Sequence, residues 1–373
     1  MGKNKLSNLL SSTPLYAKLL ISALLLAALI LILITQLHHW HFGRSPAAPL
    51  SAHPAPPPHA TPYDPNTTIQ FDFSPYVRLY KNGRVERLSG TEIVSAGLDT
   101  ATGVKSKDVI INSTTGLSAR VYLPKLNTSK EEKFPILLYF HGGAFVIESP
   151  FSPTYHDYLN VLVSKARVVA VSVNYRRAPE YWLPVAYRDS FKAYKWTVRN
   201  SKSGSEKWLY KYGDLNRLFL AGDSAGGNIA HNIMTMYGAK AKGLALLNPY
   251  FWGKKPVGME TTDPKERRKL EVTWEFVCNN RYSIDHPLVN PMGSPSVWKR
   301  LSSQHVLMTL SELDEFKERG KAYVEGLKKS GWKGEAKMYE TKGEGHVYFL
   351  YQLKSEKAVK EMAFVASFLN NSS

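Results

Sequence analysis

The sequence of 373 residues predicts a large α/β domain with a mostly parallel sheet and helices on both faces. Three observations carry this prediction. Short apolar runs typical of strands alternate with longer amphipathic segments typical of helices. Some runs, such as 135–140, are apolar throughout, as are strands covered on both faces. The chain is also long enough to bury a substantial core in one domain.

The predicted elements follow one another in a regular order from residue 67. Alternating apolar residues at 71–85 precede a hairpin of half-buried strands, and strand–helix alternation begins after it. Predicted strands are 108–111, 117–123, 135–140, 167–173, 218–221, 241–247, 306–310 and 336–339, and predicted helices are 155–166, 186–199, 228–237, 315–329 and 355–369. Residues 251–296 interrupt the alternation with several prolines and glycines, and we interpret them as a small cap insertion.

The N-terminal part differs in composition from the domain. Residues 19–37 form an apolar run without charge, just long enough to span a bilayer as one helix. Three lysines precede the run and only Arg44 follows closely, which by the positive-inside rule places the N-terminus in the cytosol. A cleaved signal peptide is the alternative interpretation. The predicted domains are a cytosolic tail (1–18), a transmembrane signal-anchor (19–37), a Pro-rich linker (38–66) and the folded domain (67–373).

This arrangement predicts a single-pass endomembrane protein whose catalytic domain faces the lumen, with a cytosol-facing domain as the alternative. Three Asn-x-Ser/Thr sequons, at Asn66, Asn112 and Asn127, would be open to glycosylation in the lumenal orientation.

The formal net charge is +17, yet Lys and Arg are scattered and form no block of five or six. This pattern favours a solvated basic surface, or attraction to anionic membranes, over a nucleic-acid site. Cys278 is the single cysteine, so neither an intramolecular disulfide nor a thiolate metal cluster can form. The candidate residues named below need neither a metal nor a cofactor for their chemistry, and we expect neither.

A tight turn at 222–226 carries the candidate nucleophile, Ser224. The turn reads Gly-Asp-Ser-Ala-Gly and joins the strand 218–221 to the helix 228–237. A sharp strand–turn–helix connection lifts the serine hydroxyl clear of the sheet, and flanking glycines leave room for it. Three fixed positions arise easily by chance, so the hypothesis depends on finding the partners of the serine.

A serine hydroxyl needs a general base, which follows it in the chain on this type of fold. His346 lies in a Gly-Glu-Gly-His turn after the last predicted strand, where the base is expected. The other histidines after Ser224 fit structural roles better: His231 lies in a helix, His286 in the cap and His305 at the start of a strand.

The base in turn needs an orienting carboxylate, which should follow the preceding strand. The strand 306–310 ends in Ser-Glu-Leu-Asp, and Asp314 is the predicted acid, with Glu312 as its nearest rival. An N-cap is the alternative role for Asp314.

The negative oxygen that forms during acyl transfer needs fixed donors. The backbone N–H groups of Gly142 and Gly143, in the His-Gly-Gly-Ala-Phe turn at 141–145, and that of Ala225 are the predicted oxyanion hole. Phe145 is the predicted substrate contact.

These motifs, together with VRLYKNGRVERL, TGVKSKDV and NYRRAPEYWLPVAYRDS, make residues 71–369 resemble the plant carboxylesterases, a hormone-sensitive-lipase-like group of α/β-hydrolases. The resemblance implies a hydrolase core with a lid built from N-terminal residues and an insertion. It also implies Ser224, Asp314 and His346 as a catalytic triad that acts on small-molecule esters. Ala144 departs from the family's usual third glycine, and the N-terminal anchor departs from the mostly soluble relatives.

Two other functions remain as alternatives. The gibberellin receptors resemble this chain but have lost the triad histidine, whereas His346 is present here. Dehydratases of a related subgroup carry threonine in place of the serine, whereas Ser224 is present here.

Overall fold

The computed structural model describes residues 64–127 and 132–370. The predicted cytosolic tail, the apolar run 19–37 and nearly all of the Pro-rich linker lie outside these residues. None of the helices within 64–127 and 132–370 has the length and apolar character that crossing a bilayer requires.

Eight strands form the central sheet, in the order β11-β10-β9-β8-β6-β7-β5-β4. The strands are β4 Lys105–Asn112, β5 Leu117–Leu123, β6 Phe134–Phe140, β7 Val169–Asn174, β8 Gly213–Asp223, β9 Gly243–Leu247, β10 His305–Ser311 and β11 Glu335–Thr341. β5 pairs antiparallel with both β4 and β7, and the other neighbours are parallel. The predicted mostly parallel sheet is therefore confirmed, and the carboxyl ends of its parallel strands meet at one edge.

Helices cover both faces of the sheet because the inner strands are apolar on both sides. In β6, Ile136 and Leu138 pack into one core and Leu137 and Tyr139 into the other. The helices are α1 Pro153–Ala166, α2 Val185–Ser203, α3 Lys207–Tyr212, α4 Ala225–Thr235, α5 Pro264–Val277, α6 Lys317–Lys329, α7 Tyr348–Tyr351 and α8 Glu356–Asn370. Buried residues of α2 and α4 belong to the first core, and those of α1 and α8 to the second.

Three short strands near the start of the domain form a separate antiparallel sheet. These are β1 Ile69–Phe73, β2 Val77–Tyr80 and β3 Val85–Arg87. The Phe71 ring stacks on Phe276 at the end of α5, with centroids 3.9 Å apart. The N-terminal sheet and the segment 251–296 therefore pack against each other.

The cap segment contains a helix, α5, which the sequence analysis did not anticipate. A buried ion cluster joins the cap to α6. Glu260 accepts hydrogen bonds from Arg267, at 3.1 Å, and from Arg319, at 2.9 Å, and both guanidinium groups lie over the Trp252 ring. All three charges are buried, so this contact fixes the cap to the helix that follows Asp314.

Candidate active site

The turn between β8 and α4 holds Ser224 in a strained conformation. Its φ of 49° and ψ of −119° are unusual for a residue with a side chain. A Cβ at Gly222 would lie 2.6 Å from the Phe140 carbonyl oxygen, and a Cβ at Gly226 would overlap the same atom. Because the first turn of α4 packs directly against the ends of β8 and β6 here, only glycine fits at either position, and this explains the Gly-x-Ser-x-Gly pattern.

Folding brings Ser224, His346 and Asp314 together across the carboxyl edge of the sheet. The Ser224 Oγ lies 2.8 Å from His346 Nε2, and His346 Nδ1 lies 2.8 Å from Asp314 Oδ2. The hydroxyl, imidazole and carboxylate therefore form a continuous hydrogen-bonded chain. This arrangement is the one that makes a serine nucleophilic.

Asp314 is held by groups on two sides. Its Oδ2 accepts a hydrogen bond from Asn248 Nδ2 at 2.9 Å, and its Oδ1 accepts one from the Phe316 N–H at 2.9 Å. Glu312, the rival acid, instead accepts from the Gly343 N–H at 2.8 Å, in the turn that carries the histidine. Sequence analysis did not identify Asn248, although an asparagine directly after β9 lies at the same sheet edge as Asp314.

The electrostatic surroundings of His346 favour its charged form. Burial of the ring lowers its pKa, but the charge of Asp314 and the hydrogen bond to it outweigh burial, and the pKa is raised above the ordinary 6.5. The Phe316 ring contacts the imidazole edge to face at 5.2 Å and covers one side. Asp314 thus orients the imidazole and favours its charged form.

The prediction for Gly142 as an oxyanion donor is not met in this conformation. Its N–H donates to Tyr155 Oη at 2.7 Å and, at 3.2 Å, to Asp223 Oδ1. The Tyr155 hydroxyl in turn donates to Asp223 Oδ2 at 2.8 Å, and Tyr139 donates to Oδ1 at 2.9 Å. The amide of Gly142 therefore anchors the turn to the protein interior.

Asp223 is the buried centre of this network, and sequence analysis overlooked it. Burial raises the pKa of its carboxyl to about 6, although the two tyrosine hydroxyls lower it. His141, at the start of the same turn, is also buried, and its pKa falls to about 3. His141 is therefore neutral at ordinary pH, and its ring stacks on Tyr175 with centroids 4.3 Å apart. The sequence did contain a signal for Asp223, because it is a carboxylate at the end of an apolar strand.

The three residues after Gly142 all lie in the left-handed region of φ. Gly143 has φ 89°, Ala144 φ 51° and Phe145 φ 62°. In this turn Val146 and Ile147 donate to the Gly143 carbonyl, and within 64–127 and 132–370 no acceptor is found for the Gly143 or Ala144 N–H. The Ala225 N–H is the first of α4, so it has no partner within the helix. These three amides can therefore serve a ligand.

Phe145 does not contact the open side of the site. Its side chain is only 1% exposed and packs edge to face against Tyr187 and Tyr250, with both centroid distances 6.1 Å. In this conformation Phe145 therefore supports the turn from behind, and its contact with a substrate stays a prediction.

A cavity of about 360 Å³ opens beside Asp314, between the cap and the start of α6. Its wall combines apolar side chains, such as Leu270 and Leu313, with carboxylates such as Glu266, but does not include Ser224 or His346. Among the residues that the structure describes, no group of three or more His, Cys, Asp or Glu side chains could hold a metal ion.

Comparison with known proteins agrees with this fold. A family model described as the α/β hydrolase fold matches residues 137–350. A solved hyperthermophilic esterase from the archaeon Pyrobaculum calidifontis superposes with a TM-score of 0.58 at 24% identity, covering 71% of this chain and 85% of the esterase. The fold and the arrangement of the site thus define an α/β hydrolase.

Curated relatives narrow the class. A probable carboxylesterase 2 of Arabidopsis thaliana is 43% identical over 81% of this chain and 96% of its own length. The chloroplastic tuliposide A-converting enzyme 1 of Tulipa gesneriana is 40% identical over 86% of this chain and 83% of its own length. A 2-hydroxyisoflavanone dehydratase of Glycyrrhiza echinata is 40% identical over 81% of this chain and 96% of its own length. The chain belongs to the plant carboxylesterase family of hormone-sensitive-lipase-like α/β hydrolases.

Proposed function

We propose that the protein is a serine carboxylesterase that hydrolyses small-molecule esters. The observation that carries the proposal is the hydrogen-bonded chain from Ser224 through His346 to Asp314. Ser224 Oγ attacks the ester carbonyl carbon while His346 Nε2 accepts the hydroxyl proton. The C–O bond then breaks, and the alcohol leaves with that proton. Water attacks the resulting acyl-serine, again giving a proton to His346, which returns it to the serine as the acid leaves.

The oxyanion of each tetrahedral intermediate is assigned to the amides of Gly143 and Ala225, with the Ala144 N–H as the third donor in place of that of Gly142. The Ala225 amide directly follows the nucleophile in the chain, and the start of the turn 141–145 lies near it, since a Cβ at Gly142 would lie 3.1 Å from the Asp223 carbonyl oxygen. Each such donor typically contributes about 3 kcal/mol of transition-state stabilisation. Ala144 stands where the family usually has a third glycine. It adopts the left-handed conformation, with a φ of 51°, so its N–H stays available to an oxyanion. This conformation costs about 1–2 kcal/mol for a residue with a side chain.

The two alternatives differ from this proposal at single residues. A receptor without turnover would not need His346 in hydrogen-bond contact with Ser224. A dehydratase deserves testing because one relative carries that name. The serine, rather than threonine, at position 224 favours ester hydrolysis.

The cleanest test is hydrolysis of p-nitrophenyl acetate by the purified full chain. Ser224→Ala and His346→Ala should each lower kcat by at least about 10³-fold, since residues of a triad act as a unit. Ser190→Ala is the matched control, because Ser190 is equally buried and its Oγ has no partner among the described residues. Tight binding of small hydroxylated ligands without turnover would favour the receptor, and loss of water from a 2-hydroxyisoflavanone would favour the dehydratase.

We also propose that residues 19–37 anchor the chain in an endomembrane, with the catalytic domain in the lumen. The uncharged run and the lysines that precede it support this orientation. Asn66 and Asn127 are exposed and Asn112 is half-exposed, so all three sequons are accessible. The protein should stay in the membrane pellet after carbonate extraction and lose mass with an endoglycosidase. Release of the protein by carbonate, together with its import into chloroplasts, would contradict the anchor. It would instead indicate a chloroplast location, the one that the tulip relative's name states.

A further inference from the structure

Helix α2 carries a stripe of basic side chains on its solvent face. Its positions follow helical spacing of four and three residues, so all the side chains lie on one side of the helix. The stripe consists of Arg188, Lys192, Lys195, Arg199 and Lys202, all of which are exposed. Arg188 to Lys202 covers about 21 Å of helix axis, at about 1.5 Å per residue.

No acidic side chain balances the stripe. Residues 185–212, which make up α2, α3 and their connection, contain seven Lys and Arg but only two acidic residues. Asp189 has no exposed side-chain surface and pairs with Arg176 at 2.7 Å, and the largely buried Glu206 pairs with Lys107 at 2.7 Å. Within the described part of the chain, none of the five stripe residues forms an ion pair. Elsewhere basic residues commonly pair with acids, as Lys360 pairs with Glu356 at 2.6 Å, so the excess charge on this face is local.

Half-buried aromatic rings lie along the stripe. Phe191 stacks on Tyr194 with centroids 5.8 Å apart, and the Lys195 ammonium lies 5.1 Å from the Phe191 ring. The Tyr194 hydroxyl accepts a hydrogen bond from the Lys240 N–H at 2.8 Å, which brings another exposed lysine to the same face. On α3, Tyr210 is 54% exposed. Tyrosine rings and long basic side chains together suit the headgroup region of a bilayer.

We propose that this face, defined by the five stripe residues with Lys240, docks on the anionic surface of a lipid bilayer. Charge complementarity identifies the occupant, because a line of lysines fits the diffuse negative charge of lipid headgroups without demanding a fixed geometry. The proposed anchor would place a bilayer within reach, since only residues 38–63 separate the uncharged run 19–37 from the first described residue. Anionic lipid is concentrated in the cytosolic leaflet, so this docking belongs to the cytosol-facing orientation, the alternative to the lumenal one. Docking would hold the domain against the membrane by a second contact, independent of the proposed ester hydrolysis.

The test measures contact between the stripe and lipid directly. The full chain is labelled with a thiol-reactive fluorophore at Ser203→Cys, beside the stripe, or at Val359→Cys on α8, whose buried residues belong to the core on the opposite face of the sheet. The buried Cys278 stays unlabelled. The labelled chains are reconstituted with vesicles that contain nitroxide lipid in phosphatidylcholine, alone or with 30 mol% phosphatidylserine.

We expect the label at Ser203→Cys to be quenched at least about threefold more strongly with phosphatidylserine than without it, and the difference to vanish in 0.5 M salt. The variant K192Q/K195Q/R199Q/K202Q should abolish the phosphatidylserine-dependent quenching, because each basic residue near an anionic surface contributes on the order of fivefold in affinity. R84Q/K105Q/K165Q/K354Q is the matched control, since it removes the same charges from exposed positions on other elements.

Equal quenching in both lipids, equal loss in the matched control, or stronger quenching of the Val359→Cys label would overturn the proposal. So would a response of the stripe label to polyuridylate but not to anionic lipid, which would assign the face to nucleic acid. Thermal unfolding and p-nitrophenyl acetate turnover, measured on every variant, show that the domain is folded. An inactive protein that still docks would refute only the esterase.

Discussion

The hydroxyl of Tyr155 offers a sharp test of how the turn at 141–145 is held. In the structure it accepts from the Gly142 N–H at 2.7 Å and donates to Asp223 at 2.8 Å. Tyr155→Phe removes both hydrogen bonds with little change in volume. A neutral hydrogen bond contributes about 1 kcal/mol and one to a carboxylate about 1.5–3 kcal/mol, so the free energy of unfolding should fall by about 2–4 kcal/mol.

The same substitution should reduce catalysis, because the Gly142 amide keeps only its 3.2 Å contact with Asp223 and the neighbouring oxyanion donors lose their fixed positions. A displacement of about 1 Å can cost up to about 10²-fold in rate, so we expect kcat to fall about 10- to 100-fold, with KM changed less than about threefold. Urea unfolding and p-nitrophenyl acetate kinetics measure the two effects.

Tyr158→Phe is the matched control. Tyr158 is buried on the same helix and packs against Tyr139 and Phe349, yet its hydroxyl makes no hydrogen bond to any residue that the structure describes. If Tyr155→Phe were as stable and active as the Tyr158→Phe control, the turn would not depend on this network, and our account of Gly142 would be refuted.

Three further substitutions test other parts of the account. In the proposed mechanism neutral His346 is the base, and its pKa is raised, so kcat/KM should rise with pH along a limb whose pKa lies above 6.5. Asp314→Asn should move that limb to lower pH and reduce kcat by about 10⁴-fold, and an unmoved limb in the pH profile would contradict this. Gly143 has a φ of 89°, which a residue with a side chain adopts only with strain. Gly143→Ala should therefore lower the free energy of unfolding in urea by about 1–2 kcal/mol or more and abolish turnover. Turnover at the wild-type rate would show that the turn tolerates a side chain. Glu260→Gln should lower the free energy of unfolding in urea by about 3–5 kcal/mol, since it leaves two buried guanidinium groups without a full counter-charge. Glu325→Gln, at an exposed pair, is the control and should lower it by less than about 0.5 kcal/mol. Equal losses in the two variants would refute the importance of the cap contact.

The parts of the fold that follow a simple period were predictable from the sequence. The apolar run at 135–140 lies within β6, and the helical segment 315–329 corresponds closely to α6, because burial on two faces or on one face leaves a distinct pattern. β8 is longer than predicted, since it begins at Gly213 in a stretch whose polar residues hide the strand. Helix α5 was missed because its charged residues and the prolines around it obscure the apolar face that Trp274 and Phe276 bury.

The site was predictable where chemistry dictates residue type and chain order. Ser224, Asp314 and His346 were chosen on these grounds, and the structure places them in hydrogen-bond contact, although their catalytic role stays a prediction. The donors were harder to assign. Which amide of a turn is free depends on what its neighbours bind, and no local pattern reveals that Tyr155, 13 residues away, occupies the N–H of Gly142.

Asp223 and Asn248 illustrate the same limit. Each is one polar residue at the end of an apolar strand, and its importance lies in partners that are distant in the chain, such as Asp314, 66 residues from Asn248. The basic stripe on α2 differs, because its spacing is visible in the sequence, but the pairing of Asp189 away from it is visible only in the structure.

Covalent capture of the nucleophile tests the account most directly. A fluorophosphonate loses fluoride as an activated serine oxygen bonds to its phosphorus, and peptide mass spectrometry then locates the adduct. We predict one adduct per chain, on the peptide that carries residue 224, with labelling at least about 10³-fold slower once the imidazole at 346 is removed. Labelling of a different serine, or unchanged labelling without that imidazole, would contradict the account.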